Sequence, residues 1–455
     1  MPVLDQSDDQ CRGTFGKLIV YFRSTRGKET VTFDEALIRG IAPDGGLYLP
    51  VELPVFDIED FAEAESISDV ARVLLAPFFE RSKLASAIDE IIAETFNFPL
   101  PVASLPVTEG KAGLLELYHG PTAAFKDVGA GFLAACISRL EGDLDNPLTI
   151  LVATSGDTGG AVAAAFNERP GIRVVVLFPD GRVSDRQAHQ LTCWGHNVLS
   201  LAVQGSFDDC QAMVKEAMAD ADLTAKYRFS SANSINIGRL IPQSIYYADA
   251  SLRHFRETGR KPGFVVPTGN LGNALACCLA RQFSLPIGDI VLATNANRII
   301  SDFLAGDEWL PRDSIQTHAS AMDVGNPSNM ERLRFLFGEA DRLNAVVSAV
   351  SVSDKEIEEE IRRSFSELGR TLCPHTATAL HAWRQLPDNQ RITNDWILVA
   401  TAHPAKFETI VEPIVGQTIE LPEEMAAILS RERRFEKIEP EMQAMLVALD
   451  HRFSA

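Results

Sequence analysis

The sequence predicts an α/β protein built on open, mostly parallel sheets with helices on both faces, preceded by a small N-terminal α+β domain. Two observations carry this. From Leu148 onward, short and continuously apolar runs rich in Val and Ile recur with helical segments between them, the pattern of strands buried on both faces and joined by crossover helices. The first hundred residues differ: a single strand-like run, turn glycines and prolines, and helical stretches of ordinary amphipathic period.

In chain order, residues 1–17 read as a flexible tail and LIVYF, residues 18–22, as the first strand. VTFDEALIRG (Val31 to Gly40) has the period of a short helix with a glycine C-cap, and APDGGLYLP (Ala42 to Pro50) is turn chemistry followed by an edge segment closed by proline. Helical patterns from Ser68 to Phe96 complete a small domain over 18–100. The proline-rich FPLPVASLP (Phe98 to Pro106) sets the boundary. Residues 101–455 then form two interleaved α/β domains. Their strands are LTILVAT from Leu148, IRVVVLF from Ile172, NVLSLAV from Asn197, FVVPT from Phe264, DIVLAT from Asp289 and DWILVAT from Asp395. Helices are expected over 159–167, 184–192, 207–221, 237–258 and 271–283. There is no solenoid repeat and no low-complexity tract.

Composition bounds the function. A chain of 455 residues, 46% hydrophobic and 23% charged, buries substantial cores and divides into two or three domains. Its net charge of −20 gives no general attraction to nucleic acid or anionic membrane, so an anionic ligand needs a local basic or helix-N-terminal site. The seven cysteines (Cys11, Cys136, Cys193, Cys210, Cys277, Cys278, Cys373) show no CxxC spacing, which points to buried free thiols in a reducing compartment and away from a zinc or other metal site. MPVLDQSDDQ at the start has no apolar leader core, and no later run approaches the roughly 18 apolar residues of a membrane span. The expectation is a cytoplasmic protein.

The chemistry centres on YHGPTAAFKD (Tyr118 to Asp127), where Lys126 stands among small and apolar residues after a Gly-Pro turn, with Thr122 as the expected N-cap of a helix through Ala123, Ala124 and Phe125. Burial near a helix start lowers proton affinity and favours a nucleophilic amine, the form needed for a Schiff base with a carbonyl substrate or pyridoxal 5'-phosphate. Ligands of parallel sheets bind at the carboxyl ends of strands. Three loops stand there. TSGDTGG (Thr154 to Gly160) offers hydroxyls and free backbone N–H groups to a carboxylate; PTGNLGN (Pro267 to Asn273) lets backbone approach a phosphate at a helix start; TAHPAKF (Thr401 to Phe407) places a hydroxyl where it can face a ring nitrogen. Each loop alone is also what an ordinary helix cap looks like. One lysine, two anion-binding loops and a strand-end hydroxyl together are the parts of a pyridoxal phosphate site.

The same motifs, with YFRSTRGKETVTFDEALIRGIAPDGGLYLP from Tyr21, SSANSINIGR (Ser230 to Arg239) and AMDVGNPSN (Ala321 to Asn329), resemble the threonine synthase family in the same order, from Tyr21 to about Leu421. The STRG and APDGGLYLP segments resemble the branch found in fungi and many bacteria. The resemblance implies pyridoxal phosphate fold type II, the tryptophan-synthase-β type. It makes Lys126 the Schiff-base lysine and Gly269, Asn270, Leu271, Gly272 and Asn273 the phosphate loop, with Thr401 facing the pyridine nitrogen. It gives Thr154, Ser155 and Thr158 the substrate carboxylate and sets Asp157 beside the cofactor's 3-oxygen. One departure stands out: this loop reads GNLGN where the family usually has GNFGD.

The implied reaction converts O-phospho-L-homoserine and water to L-threonine and phosphate, in a monomer or homodimer. For the leaving phosphate, Arg239 is the leading cation, with Arg182 and Lys111 behind it. Two other classes share much of the pattern. A pyridoxal phosphate phospho-lyase or dehydratase would release a 2-oxo acid and ammonia; a non-enzymatic phosphate- or nucleotide-binding protein would have no use for a desolvated amine.

Overall fold

A computed structural model of the protein describes residues 19–453. The tail expected over 1–17, Cys11 and the start of the expected first strand lie outside these residues. The strand itself begins later, as β1 (Phe22–Ser24), which pairs antiparallel with β2 (Thr30–Val31) and β3 (Tyr48–Pro50). Pro50 sits opposite Phe22 without an N–H of its own to donate, and the pairing passes to the Val51 N–H, which meets the Tyr21 carbonyl at 2.8 Å. Helix α1 (Phe33–Arg39) starts at a reciprocal Thr32–Glu35 capping box and stops at Gly40, which adopts a φ of 69°. With α2 (Ile67–Phe79) and α3 (Ile88–Thr95) it gathers Phe22, Phe33, Phe78 and Phe79 into one cluster, the rings of Phe33 and Phe79 lying 5.4 Å apart. Phe56 continues this cluster onto Phe283, ring edge to face and backbone N–H to carbonyl at 3.0 Å.

The proline-rich stretch forms β4 (Val102–Ser104), an antiparallel edge strand on β5 (Lys111–Glu116). Next come α4 (Lys126–Leu140), β6 (Leu148–Ala153), α5 (Asp157–Phe166), β7 (Ile172–Pro179), α6 (Asp185–Thr192) and β8 (Val198–Val203). The helix expected over 207–221 is broken: α7 (Phe207–Ala219) ends where Asp220 turns out to cap α8 (Ala221–Tyr227). The chain continues through β9 (Phe229–Ser231), α9 (Ile237–Thr258), β10 (Gly263–Pro267), α10 (Gly272–Gln282), β11 (Ile290–Thr294), β12 (Ser348–Ser351), β13 (Asp395–Ala400) and β14 (Glu436–Ile438). Sequence patterning does not reveal β4, β5, β9, β12 or β14. All but β5 are only three or four residues long, and segments such as KAGLLE and EKI carry charge or glycine where the other strands carry Val and Ile.

Two sheets result. One runs β12-β11-β10-β13-β5-β4, parallel except at β4, and the other runs β14-β8-β7-β6-β9, parallel throughout. Every residue of β6, β8, β10, β11 and β13 is buried. Helices α4 and α9 approach closely because Gly129 has no side chain; a Cβ there would stand 2.8 Å from the Arg239 carbonyl oxygen. Among the described residues no helix is long and apolar enough to cross a membrane. The six described cysteines are buried and free.

Candidate active site

Lys126 is the first residue of α4, and the segment before it is not helical. Ala123 takes a left-handed φ of 55°, Ala124 bridges to Ala402, Phe125 donates to the Thr401 carbonyl at 2.8 Å, and His403 donates to the Ala123 carbonyl at 3.0 Å. The chain just after β13 therefore holds this segment as a turn, and the helix starts only at Lys126, which overturns the expected N-cap role of Thr122. Thr122 instead bonds the buried carboxylate of Asp127 through both its backbone N–H (2.9 Å) and its hydroxyl (2.5 Å). Lys126 keeps 14% of its side-chain exposure, and its Nζ lies 3.6 Å from Asp157 Oδ2. Burial lowers its proton affinity; Asp157 opposes that, and the nearby cations Lys406 and Arg239 reinforce it.

All the sequence-predicted residues in first place line one cleft. Lys126, Thr154, Ser155, Asp157, Thr158, Arg239, Gly269, Asn270, Leu271, Gly272, Asn273 and Thr401 meet there, brought from both sheets. After β6, the Thr154 hydroxyl accepts from the N–H groups of Gly156 (3.0 Å) and Gly159 (2.9 Å), so it shapes the loop, while Ser155 and Thr158 stay half-exposed to the cleft. After β10, Leu271 takes a φ of 63° and starts α10 facing the cleft, where the first N–H groups of the helix have no carbonyl of their own helix to meet. Gly269 presses against the loop opposite; a Cβ would stand 2.7 Å from Met322 Cα. The Asn270 carbonyl is held by Asn329 Nδ2 at 3.0 Å.

The departure at Asn273 has a structural reading. Its Oδ1 accepts from Tyr246 at 2.5 Å and Tyr247 at 2.8 Å, an acceptor role that a carboxylate would also fill, and its Nδ2 is buried without a partner. Arg239, on the first turn of α9, is buried with its Nε unpartnered and one Nη on the Ala232 carbonyl at 2.5 Å; burial pushes it down to about 10, with Asp127 opposing. Arg182 and Lys111 lie elsewhere. Both are exposed, and Lys111 stands in strand register with Asp395 at the amino end of β13, away from Thr401.

Sequence reasoning missed two residues. His375 lines the cleft and accepts from the Ala321 N–H at 3.1 Å through Nε2. Burial pushes it down to about 4, so its proton sits on Nδ1, which has no partner in the protein. CPHTATAL around it carries no local signal. Lys406 is fully buried and 3.2 Å from Asp157 Oδ1, and its TAHPAKF motif was on view. Three buried donors without partners, on Arg239, Asn273 and His375, surround a desolvated amine and two helix starts. That donor set fits a phosphorylated, carbonyl-bearing heterocycle such as pyridoxal 5'-phosphate.

Comparison with known proteins gives the same direction. A family model described as pyridoxal-phosphate dependent enzyme matches residues 100–401, one for the threonine synthase N terminus matches 21–96, and one for the threonine synthase C-terminal region matches 376–447. The chain is 38% identical to threonine synthase of Escherichia coli over 400 residues, 88% of this chain and 91% of that protein, and 33% identical to that of Pseudomonas aeruginosa over 90% and 94%. Its fold is similar to the crystal structure of the Escherichia coli enzyme, at TM-score 0.86, 35% identity and coverage of 95% of this chain and 100% of that one. A structure of pyridoxal-phosphate-bound threonine synthase from Brucella melitensis aligns at TM-score 0.86 and 33% identity, covering 96% and 100%. A maize serine racemase at 16% identity and TM-score 0.51 shares the fold alone. With three family models in order and such relatives spanning nearly its whole length, the chain belongs to the threonine synthase family of pyridoxal-phosphate-dependent enzymes.

Proposed function

We propose that the cleft converts O-phospho-L-homoserine and water to L-threonine and phosphate, with the roles divided among its residues as follows. Lys126 would carry the cofactor, and its amine, when free, would move protons at the α and β carbons of the substrate as a positioned base. The backbone of Gly269, Asn270, Leu271, Gly272 and Asn273 receives the cofactor phosphate, and the Thr401 hydroxyl meets the pyridine nitrogen. A neutral hydroxyl there leaves that nitrogen without a proton. Pyridoxal phosphate, when bound, supplies the electron sink for the carbanions. Ser155, Thr158 and the loop shaped by Thr154 hold the substrate carboxylate, Asp157 stands beside the cofactor and Lys126, and Arg239 takes the substrate phosphate.

The observation that carries this reading is the convergence of a desolvated Lys126 with two helix starts, those of α5 and α10, in one cleft. Two anion-binding helix starts suit the cofactor phosphate and the substrate carboxylate, and the guanidinium suits the second phosphate. We further place the enzyme in the cytoplasm as a monomer or homodimer acting on a small molecule without nucleic acid or membrane, a reading supported by its charge of −20. Residues 18–100 form its small domain, and the two interleaved domains of 101–455 hold the cleft between them.

Incubation with O-phosphohomoserine, assaying threonine, phosphate and 2-oxobutyrate together, tests the reaction. Threonine and phosphate are expected in equal amounts; 2-oxobutyrate as main product would make the enzyme a phospho-lyase. Lys126→Ala is expected to abolish turnover with the circular dichroism spectrum unchanged, because it removes a reactive amine and little packing. Borohydride should fix the cofactor to the peptide containing Lys126, and label on another lysine would end this assignment.

A further inference from the structure

Lys406 has no part in the roles above and does not line the cleft, yet it is a fully buried cation in contact with Asp157, which does. Its Nζ lies 2.6 Å from the Thr122 carbonyl oxygen, 2.6 Å from Gln190 Oε1 and 3.2 Å from Asp157 Oδ1. Three acceptors match the three N–H donors of an ammonium. Asp157 Oδ1 also accepts from Gln187 Nε2 at 3.0 Å, which leaves Oδ2 to Lys126 at 3.6 Å. One buried carboxylate thus stands between two lysines. Gln187 and Gln190, three residues apart on α6, hold one partner each, and Gln190 Nε2 also reaches the Thr122 carbonyl at 3.3 Å. A pair of neutral amides fixes the geometry without adding charge.

The charged and titratable groups facing this centre are Lys126, Lys406, Arg239, Asp157, Asp127 and His375. In the reaction, Lys126 must spend part of each cycle without its positive charge. Were it the only partner of Asp157, a buried carboxylate would then be left unpaired, at large cost, and would take up the proton itself. Lys406 removes that difficulty.

We propose that Lys406 is a positioning residue for the reaction: its buried ammonium keeps Asp157 a carboxylate, turned toward Lys126, while the Lys126 nitrogen gains and gives up its proton. The inference rests on Lys126 being the lysine that carries the cofactor. In keeping with it, burial works to raise the Asp157 carboxyl, but the ammonium of Lys406, ahead of that of Lys126, holds it well below the usual carboxylate range. The sign for Lys126 follows. Lys126 and Asp157 share protons, and the state in which both have lost them is a buried anion that Lys406 stabilises. Taking Lys406 away makes every proton of the pair harder to remove, so the nitrogen of Lys126 titrates at higher pH.

The test uses the holoenzyme, as Lys406→Met, Asp157→Asn and the double variant. In Lys406→Met the pH titration of the visible band of the cofactor joined to Lys126 should move up by about one unit or more, the scale of a lost neighbouring charge, and kcat should fall roughly 10- to 100-fold. A residue that only packs would leave that titration where it is. Against Asp157→Asn, the double variant should lose no more than about threefold further in kcat, since Lys406 acts through the carboxylate. That comparison stands even if Lys406→Met alone fails to fold, because the double variant removes both charges together. Borohydride mapping on each variant separates the two claims. Label on a lysine other than Lys126 overturns the underlying reading. With label on Lys126, an unmoved titration, or a further loss of tenfold or more in the double variant, overturns the role of Lys406.

Discussion

Arg239 shows what burial does to a single side chain here. Among the cleft-lining residues it is the one guanidinium, it sits where Gly129 leaves room, and its Nε has no acceptor in the protein. An unpaired buried N–H is costly unless a ligand completes it, and a phosphate is the ligand its fork fits. Arg239→Gln is expected to cost about 2–4 kcal/mol of transition-state binding, a drop in kcat/KM of roughly 30- to 1,000-fold, with the visible spectrum of the bound cofactor unchanged. Steady-state kinetics decide it, and near-normal kinetics, or loss of the cofactor, would remove Arg239 from the substrate phosphate. Asn273 is the milder case. Its amide oxygen keeps both tyrosine hydroxyls satisfied, so the phosphate loop loses a formal charge and no hydrogen bond.

At the scale of elements, the site depends on where helices start. Leu271 in left-handed conformation turns the chain from β10 into α10 within four residues, and Gly156, with a φ of 136°, does the same from β6 into α5. The loop after β10 also needs Gly269 because Met322 and the Ala321 carbonyl lie against it. Gly269→Ala is therefore expected to push the loop and the 321–329 segment apart and weaken cofactor binding by about tenfold or more, the free-energy scale of one misplaced charged hydrogen bond. Titration of the apoenzyme with pyridoxal phosphate, followed by absorbance, measures it. Wild-type affinity would show that the opposite loop yields freely and that the close approach has no bearing on the phosphate.

Over the whole molecule, Arg332 ties the small N-terminal sheet to the cleft. Fully buried, it donates through Nε to the Tyr48 carbonyl (3.0 Å) and through its two Nη atoms to the carbonyls of Ser234 (3.2 Å) and Ile235 (2.6 Å) and to Asn329 Oδ1 (2.6 Å). Burial pushes it down to about 9, and carbonyl dipoles take the place of water around it. Arg332→Met would leave those carbonyls without donors and free Asn329 from its hold on Asn270. The expected loss is about 2–5 kcal/mol of stability, seen as a melting temperature lower by several degrees, together with weaker cofactor binding. An unchanged melting temperature would mean that water replaces the guanidinium and that the small domain needs no such tie.

What the sequence determined by itself is set by local rules. Apolar runs long enough to be buried on both faces marked β6, β7, β8, β10, β11 and β13, and the turns after three of them hold ten of the twelve predicted residues that share one cleft, Lys126 and Arg239 coming from other motifs. For the helices over 184–192, 237–258 and 271–283, capping residues and glycines placed both ends within a residue, while the helices between 299 and 384 and after 404 were not read from the sequence. Tertiary structure decided the rest, because it depends on partners far along the chain. KAGLLE becomes a strand only beside β13, and the segment before Lys126 is held as a turn by Thr401 and His403 rather than coiling into the helix its alanines favour. His375 and Lys406 acquire their meaning from Asp157, more than 200 residues away in sequence and within one charge network in space. A buried charge is defined by its neighbours, and only the fold supplies those.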